Sequence, residues 1–323
     1  MNPFNIHGNA TKPQNTDIAI DVKGLVKEFN GKAVVKGIDL CLPKGQIWGF
    51  LGPNGSGKTT TIRMICGLLK PTAGSGTCLG YDILHQSEKI KLLTGYMTQK
   101  FSFWNDLTIE ENLDFVARIY HIENPKECTR VTLDKLGLTQ RKKQLAGDLS
   151  GGWKQRLALA AVTMHQPKLL LLDEPTAGVD PQARRDFWDE IHQLSLQGMT
   201  VLVSTHYMDE AERCDKIVYL AHGDIMTQGT VQQVIARSQL FTYKATGEAV
   251  RQFAHLIKQA PGIEHSGYFG AAIHISGHSQ QLLQNAIKKW SPEGVQWQQV
   301  PTSLEDTFIA LMKQAGIDQR QYT

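Results

Sequence analysis

Cysteines and long apolar runs are both scarce in this sequence, and each shortage excludes a class of protein. The five cysteines stand singly with no C-x-x-C spacing, and an odd number in 323 residues argues against a disulfide framework. We therefore expect a protein of the reducing cytosol. The longest apolar runs, such as residues 157–164, fall well below the roughly 18 residues that cross a bilayer, which predicts no membrane-spanning segment.

An excess of charge of one sign is also missing. The 34 Lys and Arg against 31 Asp and Glu leave a net charge of +3, which excludes a polybasic tail, so we expect no nucleic-acid partner. At roughly 150 residues per domain, the length predicts about two domains. Residues 1–17 are expected to form a flexible leader, because they lack the basic and then apolar pattern of a secretory signal.

Between residues 18 and 238, short β-branched or apolar runs alternate with longer helical stretches. This pattern predicts an α/β domain with a mainly parallel sheet covered by helices. A helical subdomain is expected at about residues 100–160, where Ile109, Leu113, Phe115 and Ile119 recur at roughly helical spacing. The predicted strands are residues 18–25, 46–51, 169–172, 200–204 and 216–221.

Residues 239–323 are expected to form a small C-terminal α+β domain with no recognisable chemistry. Strands are predicted at residues 241–246, 271–276 and 295–300, and a helix has Val250, Phe253, Ala254 and Ile257 on one face. A second helix runs through residues 282–287. The last helix opens with residues 302–303, which have acidic residues three positions later, close to a capping-box arrangement.

The strongest chemical motif is a glycine-rich loop that matches G-x-x-x-x-G-K-[ST]. Its glycines let successive backbone N–H groups point at phosphate oxygens, its lysine supplies a charge for the β and γ phosphates, and its threonine offers a hydroxyl to Mg²⁺. A predicted strand precedes the loop and a helix follows it. The sequence therefore predicts a nucleoside-triphosphate site formed by Gly52, Pro53, Asn54, Gly55, Ser56, Gly57, Lys58, Thr59 and Thr60.

Two further predicted strands end in polar residues at the same edge of the sheet. Asp173 and Glu174 follow residues 169–172; we expect Asp173 to hold Mg²⁺ and Glu174 to accept a proton from the attacking water. His206 follows residues 200–204 and is the candidate sensor of the γ-phosphate. The alternatives are a solvated pair of loop carboxylates and a histidine at the surface after a strand.

A second glycine-bearing element comprises Ser150, Gly151 and Gly152, and by itself it is equally typical of an ordinary helix cap. The run LSGGWKQR that contains it resembles the signature of ABC-type ATPases. The order of GPNGSGKTT, YMTQ, LSGGWKQR, LLLLDEPTAGVDP and STH is also the order in that family. The resemblance covers residues 18–237 and implies a P-loop ATPase of the ABC type that uses ATP and Mg²⁺.

The resemblance also implies roles for single residues. Gln99 matches the glutamine that senses Mg²⁺ and water and contacts the membrane partner. With Thr59 and Asp173, it completes the set of candidate metal ligands. Asp180 matches an inter-subunit aspartate, with an ordinary N-cap as the alternative. Phe29 matches an aromatic that stacks on adenine, with a core aromatic as the alternative.

In the family, the signature of one subunit closes over the nucleotide of another. The resemblance thus implies a homodimer or a pair of related ATPase subunits, with Ser150, Gly151 and Gly152 acting in trans. Trp153 departs from the polar residue or methionine that is usual there, which affects local packing and partner contacts.

Within the family, two segments of the chain resemble the ATPase subunits of type-2 ABC exporters. Residues 301–312 and 106–113 match theirs, whereas the coiled coil of repair ATPases and the second ATPase unit of translation factors are missing. This implies integral membrane permease subunits as partners at the cytoplasmic face of the membrane, and export of drugs or other hydrophobic or lipid-linked compounds. Residues 101–104 contain three aromatics that fit either a permease dock or the core. The alternative function is a regulatory or scaffold ATPase that acts on a soluble partner.

Overall fold

A computed structural model describes residues 17–100 and 102–314. The predicted leader therefore lies almost entirely outside the described residues. The strands are β1 (Ile18–Phe29), β2 (Lys32–Pro43), β3 (Ile47–Leu51), β4 (Ala73–Cys78), β5 (Tyr81–Asp82), β6 (Thr94–Met97), β7 (Leu169–Asp173), β8 (Thr200–Thr205), β9 (Lys216–Ala221), β10 (Asp224–Gly229), β11 (Phe241–Thr246), β12 (His265–Phe269), β13 (Ala272–Gly277) and β14 (Gln296–Val300). The helices are α1 (Lys58–Ile65), α2 (Ser87–Leu92), α3 (Ile109–Ile119), α4 (Pro125–Leu136), α5 (Gly151–Thr163), α6 (Pro181–Leu196), α7 (Met208–Ala211), α8 (Val231–Ser238), α9 (Val250–Ile257), α10 (Gln280–Trp290) and α11 (Leu304–Gln314).

The central sheet has six strands in the order β10-β9-β3-β8-β7-β6. All neighbouring pairs from β9 to β6 are parallel, and β10 is antiparallel to β9. Strands β3, β7 and β8 are buried along their whole length, as expected for parallel strands covered on both faces. Leu51 pairs with Thr205 and Asp173 pairs with Ser204, so the carboxyl ends of these three strands meet at one edge.

The prediction for residues 18–25 is wrong in one respect, because β1 does not belong to the parallel sheet. It lies in a second, antiparallel sheet with the order β2-β1-β4-β5, and it extends to Phe29. Its neighbour β2 alternates between buried and exposed residues from Ile38 to Leu42, which is typical of an antiparallel strand with one solvated face. Strand β4 was missed because its glycines hide the pattern; a Cβ at Gly76 would lie 2.2 Å from the Asp21 carbonyl oxygen.

The predicted helical subdomain contains α3, α4 and α5, which share a buried core. Helix α3 begins with a capping box, in which the Thr108 side chain accepts from the Glu111 N–H and Glu111 reaches back to the Thr108 backbone. Ile109 and Leu113 are buried, as the spacing predicts. Phe115 and Ile119 are instead 38% and 54% exposed, which leaves an apolar surface on this helix.

The C-terminal part contains a four-stranded antiparallel sheet in the order β12-β13-β11-β14. With α9 and α10 it forms the βαββαβ arrangement of ferredoxin-like units. Val250, Phe253, Ala254 and Ile257 of α9 are all buried, as their spacing predicts. Strand β12 was not predicted.

Helix α11 begins with the expected reciprocal cap: the Asp306 N–H donates to Ser303 Oγ at 3.0 Å, and the Ser303 hydroxyl donates to Asp306 Oδ2 at 2.7 Å. Phe308 is 1% exposed and stacks on Tyr219 of β9 with ring centroids 4.0 Å apart. The last helix, which we grouped with the C-terminal domain, therefore packs on the central sheet. In the described part of the chain, we find no helix with the length and apolar character that a membrane span requires.

A half-buried histidine, His165, follows α5, and its titration is expected to lower the stability of the protein in acid. His165 stacks on Tyr120 with ring centroids 3.7 Å apart, and burial lowers its pKa from 6.5 to about 4. Between pH 6.5 and 4 the unfolded chain binds more protons at His165 than the folded protein does. The free energy of unfolding therefore falls as the pH drops from 6.5 towards 4. We expect the urea midpoint to fall less steeply from pH 7 to pH 5 in His165→Phe, which keeps an aromatic ring without the titration; parallel slopes would contradict this.

Candidate functional site

The glycine-rich loop connects β3 to α1 at the edge where the parallel strands end. At Gly52 (φ +147°) a Cβ would lie 2.1 Å from the Leu220 carbonyl oxygen, and at Gly57 (φ +103°) it would lie 2.9 Å from the Val34 carbonyl oxygen. Only glycine fits both positions without moving backbone. Helix α1 begins directly after Gly57, so its first N–H groups and its dipole face the loop, as an anion site requires.

Lys58 lies inside this loop with 5% of its side chain exposed. Its ammonium donates to the carbonyl oxygens of Gly52 at 2.7 Å and Pro53 at 3.1 Å, and lies 3.6 Å from Glu174 Oε1. Burial lowers the pKa of Lys58, and the Glu174 and Asp173 carboxylates partly oppose that shift. The loop thus holds a cation where the phosphates of a nucleotide are predicted to bind.

Asp173 is 3% exposed, so for this residue the alternative of a solvated loop carboxylate is wrong. Its Oδ1 accepts from Thr59 Oγ1 at 2.9 Å and from Ser204 Oγ at 2.6 Å, which joins β7, α1 and β8. Sequence reasoning missed Ser204, which also accepts from the Glu174 N–H through both its hydroxyl and its carbonyl oxygen. Its position as the last residue of a predicted strand was the available signal.

Glu174 lies at the meeting point of the predicted catalytic residues. Its Oε2 accepts from Gln99 Nε2 at 3.0 Å and lies 3.4 Å from His206 Nδ1, while Oε1 faces Lys58. The Glu174 side chain is 11% exposed, and its backbone has φ +48°, in the left-handed region that non-glycine residues rarely adopt. Strain of this kind is common at functional sites. The structure therefore brings Gln99, Glu174, His206 and Lys58 together as predicted.

Phe29 ends β1 with 45% of its surface exposed, so the alternative of a core aromatic is wrong. The ammonium of Lys27 lies 5.2 Å from the centre of its ring. A cavity of about 330 Å³ lies against the loop, with Asn54, Gly55 and Thr60 among its lining residues. Gln99 and Glu174 also line this cavity.

The signature segment lies at the start of α5. Ser150 occupies the N-cap position, but its side chain makes no capping hydrogen bond, and Ser150 and Gly151 are exposed. Gly152 packs against α6, since a Cβ there would lie 2.7 Å from Ala183 Cβ. Two guanidinium groups lie near the Trp153 ring, with Arg141 Cζ 5.7 Å and Arg156 Cζ 4.8 Å from its centre.

Asp180 caps α6, because its Oδ1 accepts from the N–H groups of Gln182 at 3.1 Å and Ala183 at 3.0 Å. Asp180 is therefore the N-cap of α6, as the alternative predicted, and its inter-subunit role stays a prediction.

The oxygen atoms at the site suit a hard cation such as Mg²⁺. In the described ranges, no three or more His, Cys, Asp or Glu side chains are grouped as a closed metal cage. A hydroxyl and a carboxylate, completed by phosphate oxygens and water, form the kind of set that Mg²⁺ takes in nucleotide sites. Among the residues that the structure describes, the buried Ser56 hydroxyl of the same loop has no protein hydrogen-bond partner, which fits a loop built around a polar ligand.

These features define a P-loop nucleotide-binding protein. A family model described as "ABC transporter" matches residues 35–177. The chain belongs to the ABC transporter family, and the predicted fold class and the assignment to ABC-type ATPases are confirmed.

Three known proteins illustrate the relationship. The chain is 42% identical over 224 residues to "Probable multidrug ABC transporter ATP-binding protein YbhF" of Escherichia coli (strain K12), covering 69% of this chain but only 39% of that protein. It is 32% identical over 298 residues to "Nod factor export ATP-binding protein I" of Rhizobium sp. (strain N33), covering 91% and 97%. A solved dimeric ATP-binding cassette bound to ADP and Pi matches with a TM-score of 0.60 and 26% identity, covering 65% and 98%.

Proposed function

We propose that this chain is the ATP-hydrolysing subunit of an ABC exporter. The observation that carries the proposal is the convergence of Lys58, Gln99 and His206 on Glu174 beside the glycine-rich loop. Lys58 and the amides of the loop bind the β and γ phosphates. Thr59, Gln99 and Asp173 would hold Mg²⁺, whose charge offsets that of the phosphates when bound.

The same cluster supports a division of labour in hydrolysis. Gln99 orients the attacking water through its contact with Glu174, and Glu174 accepts the proton of that water. His206 donates a hydrogen bond to the phosphoryl oxygen as negative charge develops on it. Phe29 is exposed and stacks on the adenine.

Exposure of the signature supports a dimer with two composite sites. Among the described residues, Ser150, Gly151 and Gly152 do not line the cavity at the glycine-rich loop of their own chain. Ser150 and Gly151 are exposed, and the Ser150 hydroxyl makes no capping bond that would occupy it. We infer that they contact the nucleotide held by a second ATPase subunit, either another copy or a related chain.

An apolar surface near the Gln99 segment supports a permease as partner. Trp104 is 48% exposed and packs edge-on against Phe115 with ring centroids 4.4 Å apart; Ile119 adds to the surface. The core alternative is therefore wrong for Trp104 but correct for Phe103, which is half-buried and packs against two buried clusters. Phe101 lies outside the described residues. Two hydrogen bonds of 3.0 Å to the buried Asn112 fix the Trp104 backbone, so the surface is preformed for an apolar helix.

The relatives support the cargo class and the location that we propose. One is named a multidrug transporter protein and another a Nod factor export protein. We infer that the complex exports hydrophobic or lipid-linked compounds, with this chain bound peripherally at the cytoplasmic face of the membrane. The division into an ATPase domain at residues 18–238 and a C-terminal domain at residues 239–323 stays part of this proposal. Helix α11 packs on the ATPase domain.

Removal of the apolar surface tests the exporter proposal. Capture of the tagged wild-type chain in mild detergent should recover a polytopic membrane protein. Trp104→Ser with Ile119→Ser should reduce that recovery by about 10-fold or more, because central aromatic contacts dominate interface energies. Leu196→Ser is the matched control, since Leu196 is 81% exposed on α6. Recovery of soluble proteins alone would instead favour the regulatory or scaffold function.

A further inference from the structure

A buried carboxylate lies behind the nucleotide site and is not used by the proposed hydrolysis. Glu210 is on the short helix α7, four residues after His206, and is 1% exposed. A carboxylate removed from water to this degree is costly unless donors or a cation satisfy it. The groups that satisfy Glu210 come from three different segments of the chain.

Each of these partners is a named group. Thr205 Oγ1 donates to Glu210 Oε2 at 2.6 Å, and the Thr176 hydroxyl donates to Oε1. Arg184 Nε lies 3.6 Å from Oε1 and brings the compensating charge. Both threonines are buried, and the Arg184 side chain is 21% exposed.

The three segments carry the predicted catalytic and inter-subunit residues. Thr205 directly precedes His206, and Thr176 lies two positions after Glu174. The Arg184 N–H donates to the Asp180 carbonyl oxygen at 3.0 Å, so Arg184 is fixed to the start of α6. Its guanidinium also lies 4.2 Å from the ring centre of Tyr207, which in turn packs on the His206 ring.

We propose that Glu210 is a positioning residue that holds the segments bearing Glu174, Asp180 and His206 in one geometry for hydrolysis. This inference rests on the proposed function. One carboxylate receives a hydroxyl from the end of β8, a hydroxyl from the loop after β7 and a guanidinium from α6, so none of the three moves without breaking a buried contact. A misplacement of about 1 Å at a reacting group is enough to cost about 100-fold in rate.

Glu210→Gln tests the proposal because it keeps the shape but replaces one acceptor with a donor and removes the charge that faces Arg184. We expect kcat for ATP to fall by about 10- to 100-fold, with KM changed by less than about threefold, since the phosphate-binding loop is untouched. Glu212→Gln, an exposed residue directly after α7, is the matched control and should retain wild-type kcat. If Glu210→Gln does not fold, Thr176→Val, which deletes a single hydroxyl, should show the same division between kcat and KM.

A double-variant comparison separates positioning from general loss of stability. In a His206→Ala background, Glu210→Gln should lower kcat by less than in the wild-type background, because one of the three groups that it positions is already gone. Equal effects in both backgrounds, or wild-type kcat in folded Glu210→Gln and Thr176→Val, would overturn this inference alone. A folded wild-type chain that fails to hydrolyse ATP would overturn the proposed function instead.

Discussion

Replacing Glu174 with glutamine is expected to lower ATP hydrolysis by about 100- to 10,000-fold while ATP binding is retained. The amide has the size of the carboxylate, but it accepts no proton from water at neutral pH. In this variant Lys58 loses a nearby negative charge, but its ammonium still donates hydrogen bonds to the Gly52 and Pro53 carbonyl oxygens. The phosphate-binding loop therefore remains assembled. ATP should therefore bind and persist.

Persistence of bound ATP has a second expected consequence. If two ATP molecules hold two ATPase subunits together, Glu174→Gln should elute as a dimer with ATP and as a monomer without it. Glu88→Gln is the control, because that side chain is 83% exposed on α2. Turnover at the wild-type rate would exclude Glu174 as the base.

The other large expected effect concerns Lys58. Lys58→Ala should weaken ATP binding by about 10- to 100-fold, because charge-assisted hydrogen bonds contribute about 1.5–3 kcal/mol each. Hydrolysis at subsaturating ATP should fall further, since the carbonyl oxygens of Gly52 and Pro53 lose their donor and Glu174 loses its cation.

Isothermal titration with a non-hydrolysable ATP analogue measures this loss directly. Lys23→Ala, which removes an exposed lysine of β1, should bind like the wild type. Unchanged affinity in Lys58→Ala would mean that the phosphates bind elsewhere.

The sequence predicted four of the five parallel strands, because a run such as residues 169–172 carries its burial in its composition. Strand β6 (Thr94–Met97) was not predicted. The antiparallel sheet was harder to predict. Strand β4 has the sequence AGSGTC, and its two glycines are required by close backbone approach to β1, which no periodicity reveals. The packing of α11 on β9 through Phe308 and Tyr219 joins residues 89 positions apart, and helical spacing alone does not specify which sheet an apolar face meets.

Some residues of the candidate site could also be predicted from the sequence, and others could not. Asp173, Glu174 and His206 were expected together because parallel strands end at a common edge. The supporting residues Ser204 and Glu210 were not predicted. Ser204 had one signal, its position at the end of a predicted strand, whereas Glu210 has no pattern that distinguishes it from a surface residue. Their importance comes from burial and from partners on other elements, which only the fold supplies.

Mixing two inactive variants tests the central claim, a composite site shared between two subunits. Lys58→Ala disables the phosphate-binding loop of its own chain, and Ser150→Arg blocks the signature. In a mixed dimer, both defects fall on one site and leave the other intact, so random pairing should restore about a quarter of wild-type hydrolysis. Mixtures that stay as inactive as the separate variants would contradict a composite site formed by two copies of this chain and, with it, the homodimer as the motor.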